Sequence, residues 1–166
     1  NQITDITPLE KMGRLTNLSL SGNPIKNIES LKKLKNLKEL LLFSTQELHD
    51  IEPISKLEKL KALSLSKGNK KIENIINLKN IEDLYLGYIN LKHLKHLKHL
   101  KHLKHLSLYG NDLEDISDIV YLKNLEHLDI TNEPLNDISP LKELPKLRSL
   151  GLINTKVTDL SILNGR

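Results

Sequence analysis

A leucine or isoleucine returns at a nearly fixed interval along this chain: Leu15, Leu37, Leu60, Ile81, Leu103, Leu125 and Leu147, at steps of 22, 23, 21, 22, 22 and 22 residues. Units this short cannot bury an apolar face alone, so the chain must stack them. Each unit has two parts. The first reads Leu-x-x-Leu-x-Leu, as at Leu15, Leu18, Leu20 and at Leu103, Leu106, Leu108. Alternation by two sends side chains to opposite faces of a strand, which predicts short strands near 17–20, 39–42, 62–65, 83–86, 105–108, 127–130 and 149–152. The second part is apolar at every third residue, as at Ile25, Ile28, Leu31 and Leu34. An α-helix would carry such a stripe around its axis, so this part reads as turns and 3₁₀ segments. One strand and one return path make a coil. Stacked coils pair their strands into a parallel sheet over a leucine core.

Other columns repeat with the same period. Asp-Ile-x-Pro recurs at Asp5, Asp50 and Asp137, with proline where the coil turns and no ladder N–H is needed. Asn23 and Asn111 follow a strand by three residues, where an amide can bond the backbone of the bend. Thr45, Ile89, Glu133 and Thr155 stand at that position elsewhere, so this ladder is expected to be broken. The third unit is one residue short and carries Lys67-Gly68-Asn69, which predicts a local kink. Aromatics are only 3% of the chain and Trp is absent, so the core must be aliphatic.

The segments Asn1-Gln2-Ile3-Thr4-Asp5-Ile6 and Leu18-Ser19-Leu20-Ser21-Gly22-Asn23 carry a resemblance. The pattern resembles the leucine-rich-repeat family, in the 22-residue class of bacterial internalins and nuclear regulators of protein phosphatase. The resemblance covers essentially the whole chain. It implies an α/β solenoid: a right-handed superhelix with a parallel concave sheet of about seven short strands and 3₁₀ or turn segments on the convex side. It implies protein recognition on the concave face and names no partner. Internalins also carry an N-terminal helical cap, an immunoglobulin-like segment and a surface anchor, none of which is read here. Residues 1–166 are expected to form a single leucine-rich-repeat domain with partial repeats at both ends, cut from a longer chain. Neither end shows a polar cap, so a homodimer through uncapped ends is a further expectation. Neither a signal peptide nor an anchor is read, which leaves bacterial surface, secreted and cytoplasmic placement all open.

Composition narrows the function classes. Lys and Arg number 25 against 21 Asp and Glu, a net charge of +4 with both signs interspersed, which argues only weakly for nucleic acid. Cysteine is absent, which excludes disulfides, thiol catalysis and cysteine-ligated zinc. No apolar run is long enough to span a membrane, and no cofactor motif is found.

Residues 92–106 read Lys-His-Leu five times over. As one α-helix, Leu94, Leu97, Leu100, Leu103 and Leu106 would spiral and make no single face. They fall where the coils need apolar residues, so the favoured reading is an in-frame expansion within the stack. His93, His96, His99 and His102 are weak metal candidates. The lysines 92, 95, 98, 101 and 104, with no acid between them, supply the alternative of polyanion or nucleic-acid binding. Protonating all seven histidines would raise the formal charge from +4 to +11, which makes acid-dependent partner binding an expectation.

In Leu-x-x-Leu-x-Leu-x-x the third, fifth, seventh and eighth positions point out on the concave face or its rim. Seven coils give 28 such positions, including Ser64, Ser66 and Gly87. Four of the chain's five aromatics, Phe43, Tyr85, Tyr88 and Tyr109, fall among them, where chance would put about one. The expected partner-binding set is Leu41, Phe43, Tyr85, Tyr88 and Tyr109, flanked by His105, His127 and Asp129. Ile153 is a further exposed apolar residue in this register. Asp83, His105 and His127 share one column, with Ser107 and Asp129 beside it, and these invite a catalytic reading. The face is open, however, and the chain lacks G-x-S-x-G, P-loop and H-E-x-x-H motifs, so no enzyme is expected. A structural spacer within a larger solenoid is the least favoured alternative.

Overall fold

Each Leu-x-x-Leu-x-Leu segment forms one strand. The computed structural model describes residues 1–45, 48, 50–66 and 72–164. The strands are β1 (Asn17–Ser19), β2 (Glu39–Leu42), β3 (Ala62–Ser66), β4 (Asp83–Gly87), β5 (His105–Ser107), β6 (His127–Asp129) and β7 (Ser149–Gly151). Their ends lie within one residue of those read from the periodicity. They make one seven-stranded sheet in chain order, every pair parallel. Equivalent leucines sit side by side, as in Leu40 with Leu63 and Leu84 with Leu106. The kink expected at Lys67-Gly68-Asn69 lies outside the described residues.

The return paths are 3₁₀ segments, at Thr7–Lys11, Glu29–Lys33, Glu52–Lys56, Ile72–Asn77, Ser117–Tyr121, Ser139–Glu143 and Ser161–Leu163. No α-helix occurs among the described residues. The Asp of the repeated motif explains where most of them start. Its carboxylate accepts the N–H of the residue two ahead: Asp5 from Thr7 at 2.8 Å, Asp115 from Ser117 at 2.7 Å, and Asp137 from Ser139 at 2.8 Å. This bond tightens the bend before the 3₁₀ turn. Proline then stands in the first turn of three of them, where its missing N–H is no loss.

Apart from Pro53, every buried apolar side chain among the described residues is leucine or isoleucine. Each buried side chain adds about 1.5–3 kcal/mol over an exposed one. The Lys-His-Leu tract belongs to this core. Leu94, Leu97, Leu100, Leu103 and Leu106 are at most 2% exposed. The backbone there runs through successive three-residue turns: the N–H groups of Leu97, Leu100 and Leu103 donate to the carbonyls of Leu94, Leu97 and Leu100 at 2.8, 2.8 and 3.1 Å. Three-residue turns bring every third side chain to the same side. The tract is therefore the return path of its coil.

The ladder expected to be broken at the bend after each strand is largely continued. Asn23 and Asn111 are buried and donate to the carbonyls of Leu20 and Leu108 at 2.9 and 2.6 Å. The hydroxyls of Thr45 and Thr155 donate to the equivalent carbonyls of Leu42 and Leu152, both at 3.0 Å. Glu133, 1% exposed, instead accepts the N–H groups of Asn111 at 2.6 Å and Leu113 at 2.7 Å. Ile89 has no polar side chain, but its N–H donates to Asn111 Oδ1 at 2.9 Å. Sequence reading missed the Glu133 and Ile89 contacts because their partners lie one coil away.

Acid should weaken the stack. The lysines 104 and 61 hold the Glu82 carboxyl down at about 2. The Thr7 and Ser117 hydroxyls, then the N–H groups, lower Asp5 and Asp115. For Asp137 and Asp159 the N–H of Ser139 or Ser161 leads and the hydroxyl follows. These depressed values add stability that is complete above the ordinary carboxylate range and lost as pH falls towards 2. The urea midpoint is expected to drop between about pH 6 and pH 3. An unchanged midpoint over that interval would contradict the assignment.

Candidate functional site

On the solvent face of the sheet, neighbouring strands present their outward side chains in straight rows. One row runs Glu39, Ala62, Asp83, His105, His127 and Ser149, and the next runs Leu41, Ser64, Tyr85, Ser107, Asp129 and Gly151. Over β4 to β7 these rows border an open depression of about 700 Å³. Tyr85 and Ile153 flank it, and His105, His127, Asp129 and Thr131 line it.

The polar groups in the depression hold one another. Asp83 takes a hydrogen bond with His105 Nδ1. The His105 and His127 rings stand 4.4 Å apart, centroid to centroid, tilted by 36°. Ser107 Oγ donates to Asp129 Oδ2 at 3.2 Å, and the other Asp129 oxygen accepts the Thr131 N–H at 3.0 Å. Gly151 makes room for that carboxylate, since a Cβ there would lie 2.7 Å from Asp129 Oδ1. Tyr85 is 44% exposed; partial burial, then the negative Asp83 and Glu39, push its hydroxyl above the usual phenol value.

The predicted set does not form one cluster. Tyr85, His105, His127 and Asp129 share the depression. Tyr88 and Tyr109 form a separate pair at the rim, edge to face, with centroids 5.0 Å apart. Bonding of its hydroxyl to Tyr109, with some desolvation, pushes the Tyr88 phenol above its usual value. This pairing needs glycine beside it: Gly110 has φ +67°, and a Cβ there would stand 2.6 Å from the Tyr88 ring. Phe43, 47% exposed, lies against Gly87, where a Cβ would be 3.5 Å from its ring. Leu41 is half-buried, two strands from Tyr85.

Three positions expected on the surface are covered. Ser64, Ser66 and Gly87 are buried. Ser66 lies in register between Phe43 and Gly87, so the Phe43 ring reaching Gly87 passes over it. The Ser66 hydroxyl meanwhile accepts the Ser44 N–H at 2.6 Å. Ile153 is the residue the predicted set left out: it is 67% exposed at the edge of the depression. Its outward position was legible from the register, but that it borders the same depression as Tyr85 was not.

The metal alternative finds no supporting cluster among the described residues. Among the described residues, no three His, Asp or Glu side chains gather closely enough to hold a metal ion, and this includes His93, His96, His99 and His102. The tract lysines disperse: Lys92 pairs with Glu114 at 3.1 Å, Lys101 lies over the Tyr121 ring, and Lys104 pairs with Glu82 at 2.7 Å. Among the described residues no helix is long and apolar enough to cross a membrane.

Coils of strand and 3₁₀ turn on a leucine ladder define a class, and the chain is a leucine-rich-repeat protein. A family model for two copies of leucine-rich repeats matches residues 101–143. Within the class the chain is of internalin-like type. It is similar to an internalin of Listeria monocytogenes at 28% identity and a TM-score of 0.85, covering 98% of this chain and 48% of that one. It is similar to internalin C2 of the same organism at 27% identity and a TM-score of 0.86, covering 99% of this chain and 73% of the other. A leucine-rich-repeat protein of Leptospira interrogans matches at 29% identity and a TM-score of 0.70, over 93% of this chain and 47% of that one. The chain thus spans about half the length of the first and third of these. No curated protein matches it. Leucine-rich-repeat folds commonly mediate protein–protein interaction, and neighbours of this type are generally non-enzymatic binding modules.

Proposed function

We propose that residues 1–166 form one leucine-rich-repeat domain that binds a protein partner on the solvent face of the sheet, in the depression between Tyr85 and Ile153. The observation that carries this is the pairing of two exposed apolar anchors with a preorganised polar floor. An exposed aromatic and an exposed isoleucine gain most from being covered. The Asp83–His105 and Ser107–Asp129 bonds hold the floor in place without a partner, so less order is lost on docking. Tyr88 with Tyr109, and Phe43, extend the contact along the rim.

The test is a displayed peptide and protein library selected on the wild-type chain. Binders are expected to lose about tenfold or more in affinity for Tyr85→Ala with Tyr109→Ala, while circular dichroism stays the same. Ile153→Asp should do the same. Retained affinity in both variants removes this site. Binders that fail only against variants of the opposite, 3₁₀ side would place recognition there instead.

A further inference from the structure

Where each strand begins, the backbone builds a ladder of its own. The N–H groups of Lys38, Lys61, Glu82, Lys104, Glu126 and Arg148 each donate to a carbonyl one coil earlier, at 2.7–2.8 Å. These six residues therefore form one straight row along the edge of the sheet. A second row lies two residues earlier in each coil. In it, Lys59 Nζ donates to Asn36 Oδ1 at 2.8 Å and Lys146 Nζ to Asn124 Oδ1 at 2.6 Å.

Charge on these rows is uneven. They hold seven cations, Arg14, Lys38, Lys59, Lys61, Lys104, Lys146 and Arg148, against the carboxylates Glu82 and Glu126. The net is +5, against +4 for the whole chain, so the excess of positive charge lies on these rows. Glu82 takes both Lys61 at 2.6 Å and Lys104 at 2.7 Å, and Arg148 stands 3.7 Å from Glu126. Among the described residues Lys38 and Lys59 make no ion pair. These two and Lys61 line an open cleft of about 300 Å³ with Asn80, Glu82 and His102.

We propose that this edge binds a linear polyanion built of sulfate or phosphate groups and lacking aromatic bases, anchored in the cleft of Lys38, Lys59 and Lys61. Lys38 and Lys61 stand in neighbouring coils, about 4.8 Å apart, and Lys104 and Arg148 follow at every second coil beyond, so the positive charge is drawn out along a line, which suits a chain of charges rather than one ion. The two rows contain no Phe, Tyr or Trp. Binding of single-stranded nucleic acid draws on base stacking upon such rings, so nucleic acid is disfavoured. The ammonium groups are mobile point charges, suited to sulfate or phosphate without fixed geometry. This surface is separate from the depression near Tyr85.

The experiment is titration calorimetry of the full chain with heparin, inorganic polyphosphate, inorganic phosphate and oligothymidylate. Heparin or polyphosphate is expected to bind, with affinity falling steeply between about 50 and 200 mM salt. Binding by one of the two identifies sulfate or phosphate as the preferred group, and either supports the proposal. Lys38→Glu with Lys59→Glu and Lys61→Glu should lower affinity about tenfold or more. Lys11→Glu with Lys26→Glu and Lys33→Glu, an equal change in net charge elsewhere, should leave it within about threefold. An equal loss in that second triple variant overturns the site. Competition by inorganic phosphate at equal charge concentration overturns the linear ligand, and tighter binding of oligothymidylate overturns the exclusion of nucleic acid. No binding at low salt overturns the whole proposal.

Discussion

Glu133→Ala is expected to lower stability by about 2–4 kcal/mol, because it strands two buried backbone donors at about 1–3 kcal/mol each. The two N–H groups belong to Asn111 and Leu113, both fully buried, and they reach Glu133 at 2.6 and 2.7 Å. Losing the carboxylate also relieves a desolvation penalty, which keeps the expected figure below the sum of the two. That penalty is visible in the carboxyl itself: burial raises it above the usual range, although the bonds from Leu113 and Asn111 pull the other way. A raised carboxyl adds stability that is present below its unfolded value and lost as pH rises through its folded value, so it opposes the acid weakening from Glu82 and the capping aspartates. Glu133→Gln keeps one acceptor and should lose roughly half as much. Urea unfolding at neutral pH measures both variants, and an alanine variant within about 0.5 kcal/mol of wild type would mean that the two donors find other partners.

Leu97→Ala is expected to cost about 2–5 kcal/mol, the usual range for a leucine removed from a packed core. Leu97 has no exposed surface and sits in the middle of the Lys-His-Leu tract. Its turn is closed by its own N–H on Leu94 and by the Leu100 N–H on its carbonyl, so the backbone cannot readily collapse into the space. The neighbouring Lys95→Ala should stay within about 0.5 kcal/mol of wild type, because Lys95 is exposed. This contrast tests the tract as a piece of core. Were the tract a surface helix, the two variants would differ little.

Much of the architecture was legible in the sequence. A leucine at a fixed place in each coil has one favourable environment, the interior, and the spacing of two or three residues fixes whether strand or turn brings it there. That reasoning located all seven strands and absorbed the tract into the return path. The site was legible only in part. The register showed that Tyr85, His105, His127 and Asp129 point outward, but not that Phe43 lies over Ser66 and against Gly87, or that Tyr88 turns to pair with Tyr109. Whether an outward residue is exposed depends on the size and rotamer of a side chain in another coil, which periodicity does not encode.

By itself the sequence determined the coil, its strand, its turn and which residues face the core, since these follow from apolar burial repeated at a constant period. Only the tertiary structure decided how polar groups in adjacent coils satisfy one another. Glu133 looked like an interruption in a column of asparagines until its two donors were seen one coil earlier. Likewise the basic edge became visible only when the backbone ladder from Lys38 to Arg148 placed residues of successive coils side by side. Hydrogen bonds and charges act over a few ångströms of space, so their partners are set by the stacking of coils rather than by order along the chain.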